Sequence, residues 1–134
     1  MALNPKTAAL ARNAALDAVT THLGSTAVMR WYDGTQPTDA DTAIVAQNLI
    51  VTLPLSNPIA PAASGGVLTL STITGANAVA TGNPTTWMSL LTGAYVRKMD
   101  GSIGTSGANL NMNSVTVGSG AACSCSSFTI TMAA

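Results

Sequence analysis

The chain has 134 residues, of which 47% are hydrophobic and only 7% charged, with five Lys and Arg balanced by five Asp and no Glu. That length accommodates one domain. So few cations argue against a nucleic-acid binder working by counterion release, and without Glu the exposed positions of a helical bundle have little to fill them. Charge-driven disorder needs low hydrophobicity and high net charge, and neither is present. No apolar run attains the ~18–20 residues of a membrane-spanning helix, and the N-terminal residues lack the basic-then-apolar layout of a signal peptide. The remainder is small and neutral, with 23 Ala, 31 Ser and Thr, 12 Gly and 6 Pro. An isolated small domain usually carries excess charge that keeps copies apart, so this surface suits a subunit covered by its neighbours.

One helix is predicted first, in residues 1–24, with Asn4 as its N-cap, Pro5 at its first position and Gly24 past its end. His22 falls in the last turn, facing the carbonyl end of the dipole. At 100° per residue Ala9, Leu16, Val19 and Leu23 share a face with Arg12 in its middle, while Leu3 and Leu10 point away among Lys6, Asn13 and Asp17. Two readings of Arg12 stay open. Its stem snorkels over apolar neighbours at the domain edge, or the first turns project and dock on another subunit.

Residues 25–134 read as a single β-domain. Strands are expected at Val28–Tyr32, Asn48–Leu55, Val67–Ile73, Ala78–Thr81, Thr86–Leu91, Tyr95–Met99, Val115–Val117 and Ala122–Met132. Thr35–Ala43 is a polar loop, Thr92-Gly93 the turn of a hairpin, and Ser102–Asn113 a run of turns. In the last strand Phe128, Ile130 and Met132 alternate with Ser127, Thr129 and Thr131, a half-buried pattern. Seven or eight short strands at this spacing predict a mainly β, antiparallel sandwich or jelly-roll with one N-terminal helix.

Reactive constellations are sparse. Zinc needs four converging ligands, and beside Cys123 and Cys125 only His22 and the Asp residues remain. Asp33, Asp39 and Asp41 surround a loop but lack the closing Glu of a calcium loop, so Asx turns are the simpler expectation. No Gly-x-Ser-x-Gly elbow is present, Gly104-Thr105-Ser106-Gly107 has the wrong spacing, and no Lys follows Gly118-Ser119-Gly120 as a phosphate loop requires. We therefore expect no catalytic residue, no metal and no cofactor. The two cysteines, two apart, would share a strand face and strain the backbone if joined; they read as free thiols of a reducing compartment. Trp31 and Trp87, near Arg30 and Asp33, offer stacking platforms for a sugar, although a chain with five aromatics usually spends them on its core.

Taken together, Trp31-Tyr32-Asp33-Gly34-Thr35-Gln36-Pro37-Thr38-Asp39-Ala40-Asp41-Thr42-Ala43, Ala62-Ala63-Ser64-Gly65-Gly66-Val67, Asp100-Gly101-Ser102-Ile103-Gly104-Thr105-Ser106-Gly107-Ala108-Asn109-Leu110-Asn111 and Ser127-Phe128-Thr129-Ile130-Thr131-Met132 resemble a family of small tailed-bacteriophage virion structural proteins. The resemblance runs from about Ala14 to Met132 and is carried by turns and strand ends. It departs at Thr92–Asp100, where Arg97-Lys98 adds charge to an otherwise plain hairpin. The resemblance and the size together imply a virion protein assembled in the host bacterial cytoplasm, a head decoration (cement) protein bound to the major capsid protein or other virion proteins. A tail, neck or fibre structural protein and a carbohydrate- or receptor-binding module are the alternatives. A homo-oligomer is expected, a trimer at threefold positions being one arrangement, with neither nucleic acid nor membrane as partner. The residues expected to meet neighbours are Leu3, Lys6, Leu10 and Arg12 of the helix, and Gln36, Asp39 and Asp41 of the loop. Uncharged edge strands with few Lys gatekeepers could add a partner's strand.

Overall fold

A computed structural model describes residues 6–133. In chain order the elements are α1 (Ala9–Leu23), β1 (Val28–Asp33), β2 (Leu49–Pro54), β3 (Val67–Thr69), β4 (Ala76–Asn77), β5 (Thr85–Leu91), β6 (Arg97–Gly104), β7 (Leu110–Asn111), β8 (Ala122–Cys123) and β9 (Thr129–Thr131). The described chain is mainly β with one helix, as its turn spacing predicts.

Helix α1 begins later than its capping residues suggest. Ala8 is the N-cap, in extended conformation and without a side-chain cap; the expected Asn4 and Pro5, and Leu3 with them, lie outside the described residues. At the other end Gly24 takes φ 80° and its N–H donates to Thr20 O at 3.2 Å. Leu16 and Leu23 are buried, and Val19 packs beside the core. Asn13 and Asp17, expected to face away with Leu10, instead hold the turn before β3. Asp17 Oδ1 accepts from Ala63 N at 2.7 Å, and Asn13 Oδ1 from Gly66 N at 2.9 Å. The physical reason is their i, i+4 spacing, which stacks two acceptors on one side of the helix where two otherwise unpaired backbone donors need them.

β1, β2, β5, β6 and β7 form one sheet in the order β2-β1-β5-β6-β7, antiparallel except for β6–β7. The predicted hairpin forms between β5 and β6, closed by Tyr95 N to Thr92 O at 2.8 Å and Thr92 N to Val96 O at 2.9 Å. Its second strand does not stop at Met99 but continues to Gly104, into the run read as turns. Gly101 explains why: a Cβ there would meet Met88 Sδ at 3.0 Å and Asn109 Cβ at 3.2 Å, so the glycine permits close packing rather than a bend. Asn109 Oδ1 then accepts from Ser102 N at 2.9 Å, folding the chain back so that β7 lies along β6.

The remaining strands shrink to short pairs, β3 with β9 and β4 with β8. The strand expected at Ala78–Thr81 lies instead at Ala76–Asn77. Val117 meets Gly82 in a single bridge, and Ala122–Met132 breaks at Ser124–Phe128. These segments are built of Ala, Ser, Thr and Gly, which offer little side chain to stabilise a long ladder. Phe128 is buried, Ile130 half-buried and Met132 exposed, so the terminal alternation fades along the strand.

The core gathers on one face of the five-stranded sheet. Met29, Trp31, Val51, Leu53, Met88 and Leu90 pack there with Leu16 and Leu23 of α1, Leu68 of β3 and Phe128. Yet Trp87, Ser89 and Leu91, which alternate with Met88 and Leu90 along β5, are equally buried. A central strand buried on both sides must be covered on both, and its second cover is the loop between β1 and β2.

Candidate interaction site

The second face of the sheet is assembled by strand register. Arg30 pairs with Thr52 on one side and Ser89 on the other, and Ser89 pairs with Asp100, so these four form a row across four strands. Tyr32 pairs with Trp87, and Leu91 with Arg97, in the neighbouring rows. Six of the ten charged residues, Arg30, Asp33, Asp39, Asp41, Arg97 and Asp100, collect on this face or on the loop above it. The alternation Met29, Trp31 against Arg30, Tyr32 was legible in the sequence and could have separated the two faces. What covers the second one was not.

That cover is the segment 34–48, fastened at several points. At its base Asp33 takes both Asn48 donors, N–H to Oδ1 at 2.6 Å and Nδ2 to Oδ2 at 3.0 Å. In its first half Asp39 Oδ1 accepts from Asp41 N at 3.1 Å, Thr42 N at 2.8 Å and Thr42 Oγ1 at 2.8 Å, an Asx turn as expected. The Thr42 hydroxyl first, then the Thr42 amide, hold the Asp39 carboxyl below its ordinary value of 3.8. Near the tip Gln47 Oε1 accepts from Val45 N and Ala46 N, each at 3.1 Å, while Gln47 Nε2 donates to Thr35 O.

Arg97 holds the loop down from beneath. Its Nη2 donates to Asp39 O at 2.8 Å and Thr42 O at 2.6 Å, and lies 3.3 Å from Asp100 Oδ2. An Nη2 group has two hydrogens, and the two carbonyls use them. Asp100 therefore receives the charge of the guanidinium without a well-directed hydrogen bond, and both its oxygens are buried without such a partner among the described residues. The guanidinium also lies 5.4 Å from the centre of the Trp87 ring, which stacks on Tyr32 at 4.3 Å and donates from Nε1 to Asp33 O at 3.1 Å.

At the open side of this arrangement is a shallow cavity of about 260 Å³, bordered by Arg30, Tyr32, Asp41, Ile44, Tyr95 and Arg97 among others. Arg30 donates from Nε to Thr52 Oγ1 at 3.1 Å, and its guanidinium lies 3.9 Å over the Tyr95 ring. Four large apolar side chains stand in water around the cavity and the adjoining hairpin: Ile44, Val45 (91% exposed), Tyr95 and Val96. Single exposed apolar residues are ordinary; here Ile44 of the fastened loop and Tyr95 of the hairpin border one cavity, with Val45 and Val96 next to them along the chain.

The residues expected to meet neighbours separate into two places. Lys6, just before α1, and Leu10, in its first turn, are exposed, and Arg12 is half-buried over Gly66, donating to Thr7 O. Gly66 has φ 78°, and a Cβ there would stand 2.7 Å from Arg12 Nε and 3.0 Å from Met132 O. Gln36, Asp39 and Asp41 are exposed on the other feature, the covering loop. Sequence reasoning chose the acidic half of that loop and missed its apolar tip, Ile44 and Val45, together with Tyr95 and Val96.

Neither tryptophan is an open platform. Trp31 is 2% exposed with Nε1 on Met29 Sδ at 3.3 Å, and Trp87 is fully buried. A larger groove of about 460 Å³ runs between residues 110–118 and 121–127, with Trp31, Cys123 and Cys125 at its apolar lining and Asn111, Asn113 and Ser124 among its polar ones. Both thiols are free and buried, and desolvation raises them above their ordinary 9.0, which keeps them protonated at neutral pH. Comparison with protein-family models, curated proteins and solved structures gave no match.

Proposed function

We propose that this chain is a structural protein of a bacteriophage virion, a capsid decoration protein that binds the head shell and braces it, and that it performs no catalysis. The observation that carries this reading is the fastened loop, which keeps Ile44 and Val45 exposed beside Tyr95 and Val96. Holding apolar side chains in water by many hydrogen bonds preorganises a docking surface and lowers the entropy lost on binding. The composition supports the same reading, because a neutral Ser, Thr and Ala surface desolvates at little electrostatic cost. Moderate contacts repeated over many shell positions add up by multivalency. As its architecture we propose a two-layer, sandwich-like domain, in which the five-stranded sheet is one layer and the β3–β9 and β4–β8 pairs form the other.

The deciding experiment mixes purified protein with expanded, undecorated heads and measures co-sedimentation. Saturable binding at many copies per head, weakened by Val45→Asp, is the expected result; no binding to the shell overturns the reading. One observation favours a second reading, a carbohydrate-binding module of the virion: the Asn- and Ser-rimmed groove beside Trp31. A glycan-array signal that disappears in Asn113→Ala would replace the first reading with that one.

A further inference from the structure

We infer that the face bearing Ile44, Val45, Tyr95 and Val96 joins two copies of this chain, related by a twofold axis that sets Arg30 of one protomer against the partner's Asp41. This deepens the structural-subunit reading by giving that docking surface one occupant, a neighbouring copy on the particle, so that Val45→Asp weakens shell binding through the lost contact between copies; it rests on that reading only for its setting in a particle.

The cavity border holds one charge of each sign with no ion-pair partner among the described residues. Arg30 uses Nε on Thr52, and its two terminal amino groups make no hydrogen bond or ion pair among the described residues. Asp41 lines the same cavity, and only its backbone N–H is engaged, with Asp39. Arg97, the other cation there, is turned inward onto two loop carbonyls and Asp100. A partner surface of a single sign would satisfy one of the two groups and leave the other desolvated and unpaired, which is costly. A second copy brings both signs. Under a twofold axis each contact i to j is matched by j to i, so one Arg30–Asp41 pairing is automatically made twice.

The backbone at this face is consistent with a presented surface. Tyr95 takes φ 63°, a left-handed conformation that a large side chain adopts only when its surroundings enforce it. Here it places a half-exposed ring under the Arg30 guanidinium. Tyr and Arg are among the residue types that dominate association energies. The apolar side chains would supply affinity, and the two charge pairs would set orientation.

The test is sedimentation equilibrium of the full chain, with circular dichroism and thermal melting of each variant to establish folding. The wild-type chain is expected to associate reversibly to a dimer. Val45→Asp and Asp41→Arg, both at exposed loop positions, are each expected to weaken association about tenfold or more. Arg30→Asp should do the same, and combining it with Asp41→Arg should restore dimerisation to within about threefold of wild type, because the pair is re-formed with reversed signs. If Arg30→Asp fails to fold, the two loop variants still decide. A wild-type chain that stays monomeric, association unaffected by both loop variants, or a folded double variant no better than its parents would each overturn the inference. Head binding is measured separately. A dimer that ignores shells refutes the decoration role alone, and a monomer that coats shells refutes the twofold contact alone.

Discussion

Thr85 is fully buried in β5, and its Oγ1 has no hydrogen-bond partner among the described residues, although its backbone N–H reaches Val115 O at 2.7 Å. A buried hydroxyl without a partner forfeits its hydration and gains nothing in return. Thr85→Val, which keeps the shape, is expected to raise stability by on the order of 1 kcal/mol in urea denaturation; a loss would reveal a partner for the hydroxyl. Asp39 is the opposite case, an exposed carboxylate with three donors. Because those donors hold its pKa below 3.8 in the folded chain, its contribution to the loop is present at neutral pH and disappears as the pH falls through that lowered value. The Thr42 amide resonance should therefore titrate with a midpoint below 3.8, and a midpoint at or above it would contradict the Asx turn.

Among the elements, the covering loop depends most on one distant residue. Arg97 comes from β6, more than fifty positions along the chain, and joins two loop carbonyls to Asp100. Removing one member of a buried ion pair strands the other, at about 3–5 kcal/mol. Arg97→Ala is expected to cost that much and to increase hydrogen exchange at residues 39–46, whereas Arg97→Ala with Asp100→Ala should cost less than the two single changes added together. Strict additivity in denaturation would show that the pair is not coupled. Little of this was legible from the chain. Arg97-Lys98 stood out only as extra charge on a hairpin, and nothing local distinguishes Arg97, whose side chain turns inward, from exposed Lys98. The strands themselves were clearer. Val28–Tyr32 and Thr86–Leu91 are bulky and β-branched or aromatic enough to declare themselves, whereas Ala76–Asn77 and Ala122–Cys123 exist only because they meet each other.

For the whole molecule, α1 divides into a dispensable start and an indispensable end. Lys6 and Leu10 are exposed, but Leu16 and Leu23 belong to the core, with Asn13 and Asp17 on the turn before β3. Deleting residues 1–12 should leave a cooperatively melting domain that binds shells more weakly. Deleting residues 1–23 should abolish folding, since each of the two leucines contributes about 1.5–3 kcal/mol to a net stability that is typically only about 5–15 kcal/mol. Retained folding of the longer deletion would show that α1 is peripheral throughout. Composition and periodicity alone were enough to establish a mainly β chain, poor in charge, with a helix that ends just before Gly24 and a polar loop after Asp33. Those properties are local: they depend on side-chain volume, branching and turn chemistry within a few residues. Which face of the sheet is core, where the Arg97 and Arg30 guanidiniums point, and which apolar tips remain in water were decided only when β1, β5 and β6 came together, because charge burial and loop fastening depend on neighbours that the order of the chain keeps far apart.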